Sequence, residues 1–313
     1  MYKVGVIGAG KVGVSLSRYF FSNSDRTCDT HCSQQKKQSD SEDVYAGNLE
    51  NYIFQGFYSK SFHSAQNAAE VTGSEVYDAV ENLVEKCDVL FITTPDDEIK
   101  TVWGEISSFF IENKIICHCS GSLSSEVFFG AEEKGAKVCS LHPLLAISNK
   151  AESYMDLKDA FFSLEGDEYA IAFFSELLDR RGNRYKILSQ QDKTKYHVAS
   201  VFMSNLIIGM YQMASELLES YGFSEDDVLQ GFKTLATGNM SGLMEKGARE
   251  SLTGPAERCD IGTITKHLNT LSNDGYKDIE TVYRLLTLEI IKTAKEKNPE
   301  RDYTQLERVL LKK

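Results

Sequence analysis

Lys3-Val4-Gly5-Val6-Ile7-Gly8-Ala9-Gly10-Lys11-Val12-Gly13 opens the chain and decides how the first half folds. Val4, Val6 and Ile7 form a short apolar run, the pattern of a buried strand. Gly8-x-Gly10-x-x-Gly13 follows at once, and Val14, Leu16, Tyr19 and Phe20 then make an amphipathic segment. Strand, glycine turn and helix in that order are the context in which this spacing grips a dinucleotide. Gly8 permits the tight turn, Gly10 lets backbone approach a pyrophosphate, and Gly13 lets helix pack closely on strand. The helix start adds N–H groups and a partial positive charge suited to phosphates. Gly8, Ala9, Gly10, Lys11, Val12 and Gly13 are therefore the expected phosphate-binding residues. A merely tight strand–helix turn would use the same glycines without a ligand.

Beyond the first helix, residues 22–51 are polar and aperiodic and read as a surface insertion. The second strand is expected at 53–58, running into Ser59-Lys60-Ser61. An acidic residue there would hold a ribose 2′-hydroxyl and repel a 2′-phosphate. Ser59, Lys60 and Ser61 do the reverse and favour NADP over NAD, although an ordinary polar turn looks the same. Further strands are expected at 89–94, 115–119, 137–141, 161–164 and 185–188, with helices at 65–71, 76–86, 99–110 and 168–180. Thr94-Pro95, Ser120-Gly121 and His142-Pro143 follow three of these strands, at the carboxyl edge where open α/β sheets bind ligands. Thr94, Pro95, Ser120 and Gly121 are thus expected beside the cofactor. The alternation predicts an α/β fold, a doubly wound, mostly parallel sheet, over residues 1–189.

From residue 190 strands vanish. Residues 190–221, 224–237, 241–250, 261–271 and 277–295 read as helices, so 190–313 is expected to form an all-helical domain for dimerisation and substrate binding. Ser224 with Asp227 resembles a capping box, and Asp260 suits an N-cap after the Gly254-Pro255 break.

Composition narrows the partners. The 313 residues, 42% apolar and 26% charged, can bury a sizeable core in about two domains. A net charge of −12 argues against nucleic acid or anionic membrane as the main partner. No apolar run of spanning length and no cleavable leader are read, so a cytoplasmic protein is expected. The seven cysteines fit reduced thiols. Cys28, His31 and Cys32 lack a second ligand pair, while Cys117, His118 and Cys119 alternate across a strand. No metal site is expected from either group.

Residues 199–214 are apolar on nearly all sides, which predicts a helix buried at a domain or subunit interface. Against that background Lys193, His197, Ser200 and Ser204 recur at steps of four, three and four, with Asn205 about a quarter turn away. Such a stripe is either satisfied by interhelical hydrogen bonds or walls a substrate site. His142 stands where a strand's end should face the nicotinamide, as a candidate for moving the proton that accompanies hydride transfer. A structural histidine holding its loop would occupy the same place. His142, Lys193, His197 and Asn205 form the expected catalytic set.

These residues carry a resemblance. Gly8–Gly13, Tyr58-Ser59-Lys60-Ser61, Thr94-Pro95-Asp96, Cys119-Ser120-Gly121-Ser122-Leu123 and Ser140-Leu141-His142-Pro143-Leu144 carry it in the first half. Asp192-Lys193, Tyr196-His197-Val198-Ala199, Ser204-Asn205 and Leu252-Thr253-Gly254-Pro255, with Arg258 and Asp260, carry it in the second. The chain resembles uncharacterised Rossmann-like proteins that join an NADP-binding domain to a helical C-terminal domain of unknown function. Those proteins are distant relatives of pyrroline-5-carboxylate reductase, ketopantoate reductase and the β-hydroxyacid dehydrogenases. Cys259 departs from the pattern, which tends to have glycine there. The resemblance implies a homodimer packed through its helical domains. The resulting expectation is an NADP-dependent oxidoreductase acting on a small carbonyl or imine in a cleft between domains, with Lys193 or His197 polarising the substrate. A non-catalytic NADP-binding dimer that senses redox state, or a related reductase using a deazaflavin, would share most of these features.

Overall fold

A computed structural model describes residues 1–21, 51–150 and 152–312. The polar insertion, up to residue 50, lies outside the described residues, as do Cys28, His31 and Cys32. The chain divides into two compact units, Met1–Asn205 and Leu206–Lys313.

The first unit runs β1 (Tyr2–Ile7), α1 (Lys11–Phe21), β2 (Tyr52–Tyr58), α2 (Phe62–Thr72), β3 (Glu75–Tyr77), α3 (Val80–Lys86), β4 (Val89–Ile92), α4 (Asp96–Ile106), β5 (Ile115–His118), β6 (Lys137–Pro143), β7 (Phe162–Gly166), α5 (Glu168–Arg181), β8 (Tyr185–Ile187) and α6 (Lys193–Phe202). Its eight strands lie in the order β3-β2-β1-β4-β5-β6-β7-β8. Only the β6–β7 pair is antiparallel; the other pairs are parallel. This is the expected doubly wound, mostly parallel sheet. The chain winds outward from β1 in one direction to β3 and in the other from β4. The β1/β4 boundary is therefore the switch point, where diverging connections open a crevice at the carboxyl edge.

Burial on both faces explains the uninterrupted apolar strands. In β4, Val89 and Phe91 enter the core that includes Leu16, Phe20 and Phe174. Leu90 and Ile92 enter the opposite core with Leu83, Ile99 and Trp103. Two differences from expectation follow from local chemistry. Residues 75–77 form a strand where a helix was expected from 76, because Gly73 closes α2 in the left-handed region at φ 64°. Val76 and Tyr77 then pair with Phe57 and Tyr58 and extend the sheet. His142 also lies inside β6, paired with Ser163 of β7, rather than in a turn beyond the strand.

The second unit consists of α7 (Asn205–Glu219), α8 (Glu225–Ser251), α9 (Ile261–Asn273), α10 (Lys277–Lys297) and α11 (Thr304–Leu311), with α7 beginning at the boundary. Ile264, Leu268, Ile291, Ala294, Tyr303, Leu306 and Leu310 pack its core from α9, α10 and α11. The capping box at Ser224 and Asp227 is present, and Asp260 caps α9 by accepting from Thr263 N–H. The break expected between the helices at 224–237 and 241–250 falls instead at Gly247, whose non-helical backbone kinks α8.

The single helix expected over 190–221 is broken between α6 and α7. Ser200 Oγ donates to Tyr196 O at 3.0 Å and Ser204 Oγ to Ser200 O at 2.8 Å. The N–H groups of Met203 and Ser204 turn to carbonyls three residues back. Back-bonding hydroxyls and a tightened last turn both bend a helix. The expected boundary at residue 189 therefore moves to Asn205, because α6 is hydrogen-bonded to the sheet unit through Lys193 and Tyr196. One further expectation is corrected. Gln190–Glu219 contains an 18-residue window of mean hydropathy 1.2, long and apolar enough to cross a membrane by length and composition alone. The break at Met203-Ser204 divides it, and Lys193 is buried within its first part.

Candidate functional site

At the switch point the structure holds a cavity of about 300 Å³. Gly8, Ala9 and Gly10 line one part of it, Tyr58, Ser59 and Lys60 another, and Thr93, Thr94 and Pro95 a third. The three glycines have distinct tasks. Gly8 takes φ +107°, and a Cβ there would lie 3.0 Å from the Thr93 carbonyl carbon. A Cβ on Gly13 would lie 2.4 Å from Gly8 O, so helix–strand packing forbids it. At Gly10 a Cβ would meet nothing closer than Thr93 O, at 4.0 Å. Packing therefore does not require that glycine, whereas close approach by a phosphate would. Thr93 Oγ1 donates to Gly8 O at 2.7 Å and ties the end of β4 to the turn.

Several expected residues stand elsewhere. Lys11, Val12 and Gly13 form the first turn of α1 rather than the cavity wall; Lys11 is exposed and Val12 packs on the core. Ser61 caps α2, its Oγ accepting from Ser64 N–H at 3.3 Å. Lys60 lines the cavity, but its ammonium donates to the Glu98 carboxylate, which raises its pKa. Glu98, Glu105 and Lys150 also line the cavity and were missed. Glu98 follows Pro95 within the first turn of α4, so its place was readable from spacing. Nothing near Lys150 in the sequence signals its return to the first strand.

Ser120 and Gly121 belong to a second cluster, at the carboxyl ends of β5 and β6. Ser120 Oγ and Ser122 Oγ donate to Asp96 Oδ2 at 2.6 and 2.9 Å. Lys193 Nζ donates to Ser120 O at 3.0 Å and to Ser140 Oγ at 2.7 Å, with the side chain only 1% exposed. Burial lowers the Lys193 pKa. Tyr196 Oη lies 3.1 Å from His142 Nδ1, and the His142 and His197 rings stand 6.3 Å apart at 82°. Gly121 lies between the two histidines: a Cβ there would be 2.6 Å from His197 Nδ1 and 2.8 Å from His142 Nε2. His197 Nδ1 is buried without a hydrogen-bond partner among the described residues. Burial, reinforced by the nearby charges of Lys193 and His197, pushes the His142 pKa down to about 4.

His118 is held within the strand end. Its Nδ1 accepts from Ser120 N–H at 3.2 Å and its Nε2 meets Ser124 O at 3.2 Å, while burial lowers its pKa to about 4. Glu165, also missed, is buried on β7 and accepts from Ser125 N–H at 2.8 Å and Ser125 Oγ at 2.7 Å. The expected polar stripe is thus divided. Lys193 and His197 reach this cluster, whereas Ser200 and Ser204 bond back onto their own helix. Asn205 is exposed, and its side-chain amide lies 3.1 Å from Ser204 Oγ.

Fold and site together define an α/β protein with a dinucleotide-type turn at the switch point of its sheet. Residues 160–290 match the model of DUF2520, a domain of unknown function. No curated protein matches the chain. Among solved structures, a protein of Thermotoga maritima is similar over 96% of this chain and 100% of its own, at 24% identity and a TM-score of 0.60. A candidate NADP oxidoreductase of Bacteroides fragilis is similar over 93% of this chain and 98% of its own, at 21% identity and a TM-score of 0.65. An imine reductase of Myxococcus stipitatus, solved in complex with NADP+, is similar over 94% and 93%, at 12% identity and a TM-score of 0.58. Likeness at these identities establishes the fold. The chain has a Rossmann-like fold followed by a helical C-terminal region, and the stretch similar to DUF2520 runs from the last strands of its sheet into α10.

Proposed function

We propose that the protein is an oxidoreductase that uses NADP to transfer hydride to or from a small carbonyl or imine substrate. The observation that carries this reading is the pairing, on one sheet edge, of a cavity built around the glycine turn with a cluster of two histidines converging on Gly121. The residues present fit the cofactor: space is open at Gly10, and Ser59 and Lys60 suit a 2′-phosphate. When bound, the nicotinamide supplies or accepts the hydride.

The protein's own groups handle binding and the proton. Tyr196 Oη lies 3.1 Å from His142 Nδ1, and in the tautomer where the tyrosine donates, neutral His142 carries its proton on Nε2, the atom that faces Gly121. His142 and His197 are the groups that would meet the substrate oxygen or nitrogen and exchange that proton. Two N–H groups of Lys193 are engaged by Ser120 and Ser140, so Lys193 acts as a positioning residue that fixes the ends of β5 and β6.

A panel of carbonyl and imine compounds, followed by NADPH absorbance, tests the proposal. His142→Asn and His197→Asn should each abolish turnover and leave NADPH affinity unchanged. Tight NADPH binding with no turnover across the panel would favour the second reading, a non-catalytic NADP-binding dimer that responds to redox state. The sealing of Lys193 away from solvent speaks for that alternative. In either reading the protein acts as a homodimer through its helical unit.

A further inference from the structure

Lys150 follows β6 in a stretch without a recognisable motif. Its Nζ nevertheless donates to Ala9 O at 2.9 Å, across 141 positions of sequence. We propose that Lys150 is a diphosphate-binding residue and supplies the cation at the glycine-turn end of the cavity. The proposal rests on the reading of that cavity as a dinucleotide site.

Three observations carry it. The first is position. Ala9 lies between Gly8 and Gly10, the residues whose backbone would approach a diphosphate, and Lys150 lines the same cavity. The second is charge. Among the described residues lining the cavity, Lys60 and Lys150 are the two cations and Glu98 and Glu105 the two anions. Lys60 is paired with Glu98. The Lys150 partner at the turn is a neutral carbonyl. An ammonium has three N–H donors, so one can stay on Ala9 O while two remain for phosphate oxygens. Lysine binds phosphate as a point charge and needs no planar match, which suits a side chain arriving from a loop. The third is support on both sides of the residue. Asn149 N–H donates to Ser153 Oγ at 3.1 Å, Asn149 Nδ2 to Glu152 Oε2 at 3.2 Å, and Ser153 N–H to Asn149 O at 3.2 Å. Ser153 itself is buried. The lysine thus projects from a hydrogen-bonded loop, and less side-chain freedom remains to be lost on binding.

Calorimetric titration of the full chain with two probes tests this. NADPH carries both the diphosphate and the 2′-phosphate, whereas adenosine 2′-monophosphate carries only the latter. Lys150→Gln should weaken NADPH binding about ten-fold, the scale of one charge-assisted hydrogen bond, and leave adenosine 2′-monophosphate binding unchanged. Lys150→Arg should restore most of the loss. Lys60→Ala should weaken both probes. The proposal is overturned if Lys150→Gln binds NADPH within about two-fold of the unaltered protein, or if it loses both probes equally. Failure of the unaltered protein to bind NADPH would instead overturn the cavity's assignment, and the role of Lys150 with it.

Discussion

At the scale of single residues, the cavity is more guarded than its sequence suggests. Ser59-Lys60-Ser61 reads as an open invitation to a 2′-phosphate, yet the Lys60 ammonium already has a carboxylate partner in Glu98. A phosphate must compete with that carboxylate and tolerate its charge, with Glu105 adding a second negative group on the same wall. Glu98→Gln removes the competing charge while keeping a side chain of the same size. It should tighten NADPH binding several-fold and leave NADH nearly unchanged, because only NADPH brings the 2′-phosphate. Parallel titrations with the two dinucleotides check this. Equal gains for both would mean that Glu98 acts on something other than the 2′-phosphate end. Screening by salt should shrink the difference, since the pair is largely exposed, at 73% and 38%.

At the scale of elements, the ends of β5 and β6 concentrate buried polar groups, and this has a cost at low pH. His118 and His142 both have pKa values pushed down to about 4, first by burial, and the charge on Lys193 lowers both further. Asp96 pulls the other way for each, more weakly than burial. An unfolded histidine titrates near its ordinary value, so between about pH 6.5 and pH 4 the unfolded chain binds protons that the folded chain refuses. Stability is therefore fully present above this window and is lost as pH falls through it. The loss is on the order of 3 kcal/mol per histidine if the whole shift is expressed. Urea unfolding from pH 7 to pH 4 should show the fall, and His142→Gln should flatten it relative to the unaltered protein. An unchanged slope would remove His142 from the account. Elements also show where sequence reading stopped. The glycine turn, the strand ends and the caps at Ser224 and Asp260 were legible because each depends on near neighbours in the chain. The strand at 75–77 and the break before α7 come from the local chemistry of Gly73, Ser200 and Ser204, and Glu98 from its spacing after Pro95, whereas the return of Lys150 to Ala9 is a contact across 141 positions of sequence. Periodicity does not carry that information. The Lys193–His197 stripe was half legible. Spacing put four polar groups on one face, but it could not tell that two serines would bond back to their own helix.

At the scale of the molecule, the helical unit presents apolar side chains that its own helices leave exposed. Ile208 on α7 is 68% exposed, Leu235 on α8 61% and Leu285 on α10 61%. The sequence predicted residues 199–214 to be buried, and in a single chain much of that run is not. A chain with a net charge of −12 has ample polar surface elsewhere, so an uncovered apolar helix face calls for a partner. A second copy is the simplest one. It brings an identical apolar face, and a two-fold interface buries both at once. A stable interface of ordinary size removes roughly 800 Å² from each partner, an area that several helical turns of large apolar side chains can supply. The protein should therefore sediment as a dimer at micromolar concentration, and Ile208→Glu should shift it toward monomer while NADPH affinity is retained, because the glycine turn and Lys60 lie in the other unit. A dimer untouched by Ile208→Glu would move the interface off α7. An unaltered protein that sediments as a monomer, or that floats with lipid vesicles, would overturn the homodimer; flotation would assign the apolar face of Gln190–Glu219 to a bilayer.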